Sequence, residues 1–136
     1  MIFRSEAFNA TRRGGVTSMM VLPGSANLIG GRSVTLKNVP STTMQGMKFP
    51  DAPYGLKMAC GENPKRVYGE KGGPSTRMGN VAGYRAAWIA AAKYAAKWDA
   101  WRAGGGKGDQ PDRDLKLDTL AGVLKGQILE IGRAHV

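Results

Sequence analysis

Apolar runs that predict strands alternate along this chain with glycine turns and with segments of helical periodicity. Residues 16–22 and 54–60 are mostly apolar on both alternating faces, which is the pattern of strands covered on both sides. Residues 32–39 alternate like a half-exposed strand, and residues 6–13 predict a short helix that ends at two glycines. This succession of helices and buried strands predicts an α/β fold.

The longest predicted helix covers residues 81–103 and follows Asn80, a good N-cap. Its apolar positions step by three and four, as expected of a helix with one buried face: Val81, Tyr84, Trp88, Ala91, Ala95 and Trp98. A flexible glycine-rich linker is predicted at residues 104–111, and a second amphipathic helix begins near Asp114. Residues 127–129 predict the start of one more strand.

The charge of the chain is strongly positive but dispersed. The 136 residues contain 20 Lys and Arg against 10 Asp and Glu, a formal net charge of +10. Because these charges form no single run or helix face, we expect a solvated surface and no specific nucleic-acid partner. A small basic nucleic-acid-binding module stays open as an alternative function, as does a structural protein built on the Trp-bearing helix.

Cysteine and histidine are too rare for several kinds of site. Cys60 and His135 are each the single residue of their type, which excludes an internal disulfide, a cysteine-based zinc finger and a multi-histidine metal site within the chain. No apolar run approaches the roughly 18 residues of a membrane span, so no membrane partner is expected. The compartment stays open.

Polar loops are predicted at residues 25–31 and 62–66, each after an apolar run. Glu62 would come directly after the carboxyl end of a buried strand, where α/β folds place their chemistry. A carboxylate there is costly to bury unless it binds a metal or is paired, and Lys65 or Arg66 could provide the pair. The pattern leaves the metal ligand and the ordinary ion pair both open.

Three stretches are long enough to indicate a family. Residues 14–31 have the sequence GGVTSMMVLPGSANLIGG, residues 55–69 have GLKMACGENPKRVYG, and residues 76–79 have TRMG. Together they resemble bacterial amidohydrolases of the imidazolonepropionase-like group, and the resemblance extends over residues 7–129. It implies a (β/α)8 barrel that binds divalent metal, activates water and hydrolyses the C–N bond of an amide, a peptide-like compound or a cyclic amide.

The resemblance also implies how much of such an enzyme is present. Residues 1–129 would form a partial TIM barrel with three to four parallel strands and flanking helices, because a complete barrel needs roughly 250 residues. Of the family's metal ligands only the bridging Lys or Glu could lie in this sequence, with Glu62 as the preferred candidate and Lys57 as the second. Zinc is the expected metal of the full-length parent. We expect this chain alone to bind no metal tightly and to be inactive without the missing barrel segments.

The same resemblance implies contacts to a small-molecule or peptide-like substrate. The polar residues of the two loops are expected to touch the substrate or to shape the rim of the site: Asn27, Arg32, Asn63, Lys65, Arg66 and Tyr68.

The last residues of the chain differ from the family pattern. Residues 130–136, EIGRAHV, match the translation of a common sequencing adapter. We therefore expect a non-native tail on a truncated metagenomic read. His135 would then have no role as a ligand.

Overall fold

The chain contains both helices and β-strands, as the predicted α/β class requires. The computed structural model describes residues 6–133. Its elements are α1 Glu6–Arg13, β1 Ser18–Val21, β2 Ile29–Arg32, β3 Val34–Lys37, α2 Met44–Met47, β4 Gly55–Ala59, α3 Glu62–Tyr68, α4 Arg77–Ala103, α5 Leu115–Leu124 and β5 Leu129–Arg133. The predicted α/β class is confirmed. Among the described helices, none combines the length and the apolar character needed to cross a bilayer.

Strand β4 is the centre of a three-stranded sheet in the order β2-β4-β5. It pairs antiparallel with β2 and parallel with β5, and all five of its residues are buried. The chain passes from β4 through α3, α4 and α5 before it returns in β5, which is the crossover that a parallel pair requires. The buried strand predicted at residues 54–60 is confirmed.

Helices α4 and α5 pack on each other and cover one face of this sheet. The buried centre of the core consists of Leu56 and Met58 from β4, Ala91 from α4 and Leu120 from α5. Of the predicted helix stripe, Ala91 belongs to this centre, and Tyr84 and Trp88 pack against it. Val81, at the start of the predicted stripe, is exposed instead. The middle of α4, rather than its start, is therefore the part of this helix that packs against the sheet.

Strand β1 lies in a separate antiparallel ladder with β3, which runs from the pair Ser18 and Lys37 to the pair Val21 and Val34. Its residues are mostly exposed. The prediction that residues 16–22 are covered on both faces is therefore wrong. The physical reason is that β1 pairs with one strand only and packs extensively on neither α4 nor α5, within the residues that the structure describes.

Ser33 separates the two ladders. Strand β2 continues into β3 through this single residue, whose side chain is fully buried. The Ser33 amide donates to the Gly55 carbonyl oxygen at 2.7 Å, and the Gly55 amide donates to Ser33 Oγ at 2.8 Å. After Ser33 the chain stops pairing with β4 and pairs with β1 instead. The strand predicted over residues 32–39 is therefore shorter than expected. The loop predicted at residues 25–31 contains most of β2.

Three to four parallel strands are not confirmed. In residues 6–133 only β4 and β5 pair in parallel, while β1 with β3 and β2 with β4 are antiparallel. An apolar run predicts that a strand is buried, but it does not specify the direction of the neighbouring strand.

Two helix starts differ from the prediction. Residues 62–66 form most of α3 rather than the predicted loop. Pro64 does not prevent this helix, because it falls in the first turn, where a helix tolerates proline. Helix α4 begins after Thr76, whose Oγ1 accepts from the Gly79 amide at 2.9 Å, so that Asn80 lies inside the helix. Helix α5 begins after Asp114, as predicted.

The described part of the expected tail belongs to β5. Glu130, Ile131 and Gly132 pair with β4 in an unbroken register. His135 and the rest of residues 134–136 lie outside the described residues, and the non-native origin of the tail stays a prediction.

Candidate functional site

The two faces of β4 lie in different environments. Leu56 and Met58 face the helix layer. Because side chains alternate along a strand, Lys57 lies on the opposite face, which we call the lysine face of β4. Ile131 of β5 shares this face, since its side chain lies over Gly55. The sheet thus separates a packed apolar face from a face with a charged residue at its middle.

Lys57 is buried without a carboxylate. Its residue is 5% exposed, and its Nζ donates to Ser25 Oγ at 3.0 Å and to the Met58 carbonyl oxygen at 2.9 Å. Both acceptors are neutral, and none of the ion pairs found within residues 6–133 includes Lys57. Lysine is almost never buried unless it is paired, because an uncompensated ammonium loses its hydration. Packing alone therefore gives no reason for a lysine here.

The loop between β1 and β2 crosses the carboxyl end of β4. The Ala59 amide, at the last residue of β4, donates to the Leu28 carbonyl oxygen at 3.1 Å. Tyr68, at the end of α3, donates its hydroxyl proton to Asn27 Oδ1. These contacts bring two of the predicted rim residues, Asn27 and Tyr68, to the carboxyl end of β4. The Lys57 side chain extends towards the same end, because its Nζ bonds to Ser25 of this loop and to the Met58 carbonyl oxygen.

Glu62 is the first residue of α3 and has an ordinary partner. Its Oε1 lies 2.9 Å from Lys65 Nζ, and the two side chains are 44% and 34% exposed. Such pairs three residues apart are common on helix surfaces and contribute little to stability. Asn63 is half-buried and Arg66 exposed on the same helix. Glu62, Asn63, Lys65 and Arg66 thus follow directly on the carboxyl end of β4.

Arg32 lies apart from the other predicted rim residues. It pairs with Leu56 in the ladder between β2 and β4, nearer the amino end of β4. Its Nε donates to Thr119 Oγ1 of α5 at 2.9 Å, and its guanidinium carbon lies 5.6 Å from the centroid of the Tyr54 ring. The antiparallel direction of β2 causes this separation, which the sequence did not reveal.

Further polar groups fix the turn that leaves β4. Tyr84 donates its hydroxyl proton to the Ala59 carbonyl oxygen, and Asn80 Nδ2 donates to the Gly61 carbonyl oxygen at 2.9 Å. Burial, with a smaller effect of the Cys60 thiol, raises the pKa of Tyr84 above its ordinary value. The sequence placed Tyr84 in an apolar stripe, although a buried tyrosine hydroxyl needs an acceptor. The need for an acceptor was the signal in the sequence that could have identified Tyr84 as part of this turn.

The potential metal ligands among the described residues decide whether this chain could hold the divalent metal that the resemblance implies. Among the residues that the structure describes, no group of three His, Cys, Asp or Glu side chains is placed to hold a metal ion. Lys57 and Glu62, the two ligands that the resemblance suggests, both lie on or directly after β4, and their role as metal ligands stays a prediction.

Comparison with known proteins identifies the family. No family model matches the chain. It is 38% identical to the amidohydrolase tasK of Hapsidospora irregularis in an alignment of 133 positions, which covers 86% of this chain and 14% of that protein. The crystal structure of an amidohydrolase from Thermotoga maritima MSB8 matches with a TM-score of 0.85 and 38% identity, over 98% of this chain and 34% of that one. This chain belongs to the amidohydrolase family.

The amidohydrolase assignment confirms the family but not the finer group. Neither relative is named an imidazolonepropionase-like protein. This amidohydrolase chain spans about a seventh of the curated relative and about a third of the solved structure, as the shares of 14% and 34% indicate.

Proposed function

We propose that this chain forms part of a metal-dependent amidohydrolase, which hydrolyses C–N bonds in amide, peptide-like or cyclic amide substrates. The names of both relatives support hydrolysis by this family. The proposal depends on one observation above all, the buried amine of Lys57 with only neutral acceptors around it. Other segments of the same enzyme would supply the remaining metal ligands and close the barrel.

Lys57 is the better of the two candidate ligands on structural grounds. A metal ligand has to be held in place, and Lys57 is buried on the lysine face with its Nζ bound to β4 and to the loop above it. Glu62 is more exposed and already forms an ordinary helix-surface pair with Lys65. We therefore assign the ligand position to Lys57 and keep Glu62 as the second candidate, which reverses the order suggested by the sequence.

A bound divalent cation, with zinc as the expected one, would supply a hydroxide nucleophile near neutral pH by acidifying its water. The residues of this chain would hold and orient the participants. Lys57 would contribute one ligand through the lone pair of its neutral amine, with the ammonium proton released to solvent as the metal binds. Asn27 and Tyr68 would contact the substrate from the rim. Asn63, Lys65 and Arg66 would line the same rim on α3, whereas Arg32 lies too near the other end of β4 to join them.

A graft into the solved relative tests this function. The graft replaces the matching third of the Thermotoga maritima amidohydrolase by residues 7–129 of this chain, since the two backbones agree with a TM-score of 0.85. We expect the folded graft to contain stoichiometric zinc by elemental analysis. We also expect it to hydrolyse at least one member of a panel of N-acyl amino acids, dipeptides and cyclic amides.

The free chain, without the rest of the barrel, is the control for the graft. We expect it to take up no zinc tightly and to turn over none of the panel. A folded graft without metal and without hydrolysis contradicts the proposed function. Zinc binding and turnover by the free chain contradict the proposal that other segments complete the site.

A further inference from the structure

Ser25 is the side chain that meets the buried amine of Lys57. Its Oγ lies 3.0 Å from Lys57 Nζ, across 32 positions of the sequence. The other acceptor of this amine is the carbonyl oxygen of Met58, a backbone atom that no side-chain substitution removes. Within residues 6–133, Ser25 is therefore the side-chain partner through which the surroundings control the place of the Lys57 amine.

The loop that holds Ser25 is anchored independently of Lys57. The Leu28 carbonyl oxygen accepts a backbone hydrogen bond from the Ala59 amide of β4, and Asn27 Oδ1 accepts a side-chain hydrogen bond from the Tyr68 hydroxyl of α3. The Leu28 side chain also packs against Gly83 of α4, so closely that a Cβ atom at Gly83 would lie 2.7 Å from Leu28 Cδ1. Three elements thus place the loop that contains Ser25 through contacts that do not involve Lys57.

Lysine by itself is poorly suited to a fixed position. Its four-carbon stem is flexible, and its ammonium or amine group can take many places in the absence of a partner. A rigid acceptor selects one of these places, as groups around a functional site commonly do for the side chain that acts.

We infer that Ser25 is a positioning residue, whose hydroxyl holds the Lys57 amine in place near the carboxyl end of β4. The inference deepens the proposed function and rests on it for the role of Lys57. The contact itself does not depend on that function. Ser25 is not among the residues that the sequence pattern singled out, because a serine in a polar loop has no distinguishing signal.

Site-resolved acetylation of the full 136-residue chain tests the contact without any metal or substrate. The chain is exposed to short pulses of acetic anhydride, and the modification of Lys57 is measured by mass spectrometry relative to Lys65. Loss of a hydrogen bond to an amine that is buried in the wild type should raise the Lys57 ratio roughly tenfold in Ser25→Ala. Ser25→Thr, which keeps the hydroxyl, should stay near the wild-type ratio.

The variant Asn27→Ala separates positioning from simple loosening of the loop. It removes the anchor on Tyr68 and keeps the Ser25 hydroxyl, so the Lys57 ratio should stay close to that of the wild type. An unchanged ratio in Ser25→Ala overturns the inference. A rise in Asn27→Ala as large as that in Ser25→Ala also overturns it, because the loop rather than the hydroxyl would then protect the amine.

The graft described above gives a second readout. There, Ser25→Ala should lower kcat with little change in KM, and Ser25→Thr should recover most of the loss. An unchanged kcat in a fully active graft overturns the positioning role. A graft without hydrolysis counts against the proposed function, while the acetylation ratios still decide whether Ser25 holds Lys57.

Discussion

Strands β4 and β1 come from similar apolar runs but have opposite surroundings. Every residue of β4 is buried, whereas Met20 and Val21 of β1 are 42% and 47% exposed. β4 has a strand on each edge and the α4–α5 layer on one face, while β1 pairs with β3 alone within the described residues. The comparison shows that an apolar run predicts a strand, and that the neighbouring layers decide whether the strand is buried.

The same difference separates the candidate functional residue Lys57 from an ordinary surface lysine. A lysine on β1 would be solvated and would need no explanation. Lys57 on β4 is buried among neutral acceptors, and the free-energy cost of this burial is large enough to require an explanation. The buried strand therefore contributes Leu56 and Met58 to the core on one face and Lys57 to the candidate site on the other.

The largest expected effect is a stability difference between matched truncations in the two strands. Leu56→Ala in β4 removes a side chain that is 1% exposed and should cost about 3 kcal/mol. Val21→Ala in β1 should cost less than about 1 kcal/mol, because the side chain is already half in water. Urea unfolding of both variants measures the difference, and equal losses would show that β1 is buried in solution.

A second pair of substitutions compares the space around two glycines. A Cβ atom at Gly55 of β4 would lie 2.9 Å from Ser33 Oγ and would also collide with Ile131. Gly55→Ala should therefore destabilise the chain by about 1–3 kcal/mol. Gly24→Ala, beyond the end of β1, meets no atom within 4 Å and should have almost no effect. Thermal unfolding tests both, and a neutral Gly55→Ala would contradict the close packing of β4.

A smaller effect tests the helix layer through its pH dependence. Asp118 of α5 accepts from Tyr94 Oη of α4 at 2.6 Å and from Arg113 Nε at 2.7 Å, and both contacts lower its pKa. A carboxyl group with a lowered folded-state pKa stabilises the fold above its unfolded pKa of about 4. This contribution is lost as the pH falls through the folded-state value.

Asp118→Asn should therefore lower the melting temperature at pH 6 and reduce its further decline towards pH 3. The exposed residue Asp112, between α4 and α5, provides the control, since Asp112→Asn should leave the acid side of the curve unchanged. Parallel curves for the wild type and Asp118→Asn would show that this contact does not join α4 to α5 in solution.

Local signals predicted the elements whose causes are local. The periodicity around Trp88, the cap at Asp114 and the apolar run around Leu56 each specify a structure without help from distant residues. The start of α4 was misplaced because Thr76 and Asn80 are both suitable caps, and only the contact of Asn80 with Gly61 decides between them.

The site was predicted only in part because its contacts are long-range. The sequence placed Asn27 and Tyr68 in one rim, and the structure brings them together. It ranked Glu62 above Lys57, since a carboxylate beyond a strand is the more familiar signal, whereas the burial of Lys57 depends on a loop 32 positions away. The direction of β2, which removes Arg32 from the rim, has no local signal at all.

The metal content of the graft tests the central role of Lys57 most directly. Lys57→Met keeps the length of the buried side chain without its amine, Glu62→Gln removes only a charge, and Lys93→Met changes an exposed lysine on α4. With folding verified by circular dichroism, elemental analysis should find less zinc per chain in Lys57→Met alone. Full zinc content in Lys57→Met, or its loss in Glu62→Gln instead, would contradict the assignment of Lys57 as a metal ligand.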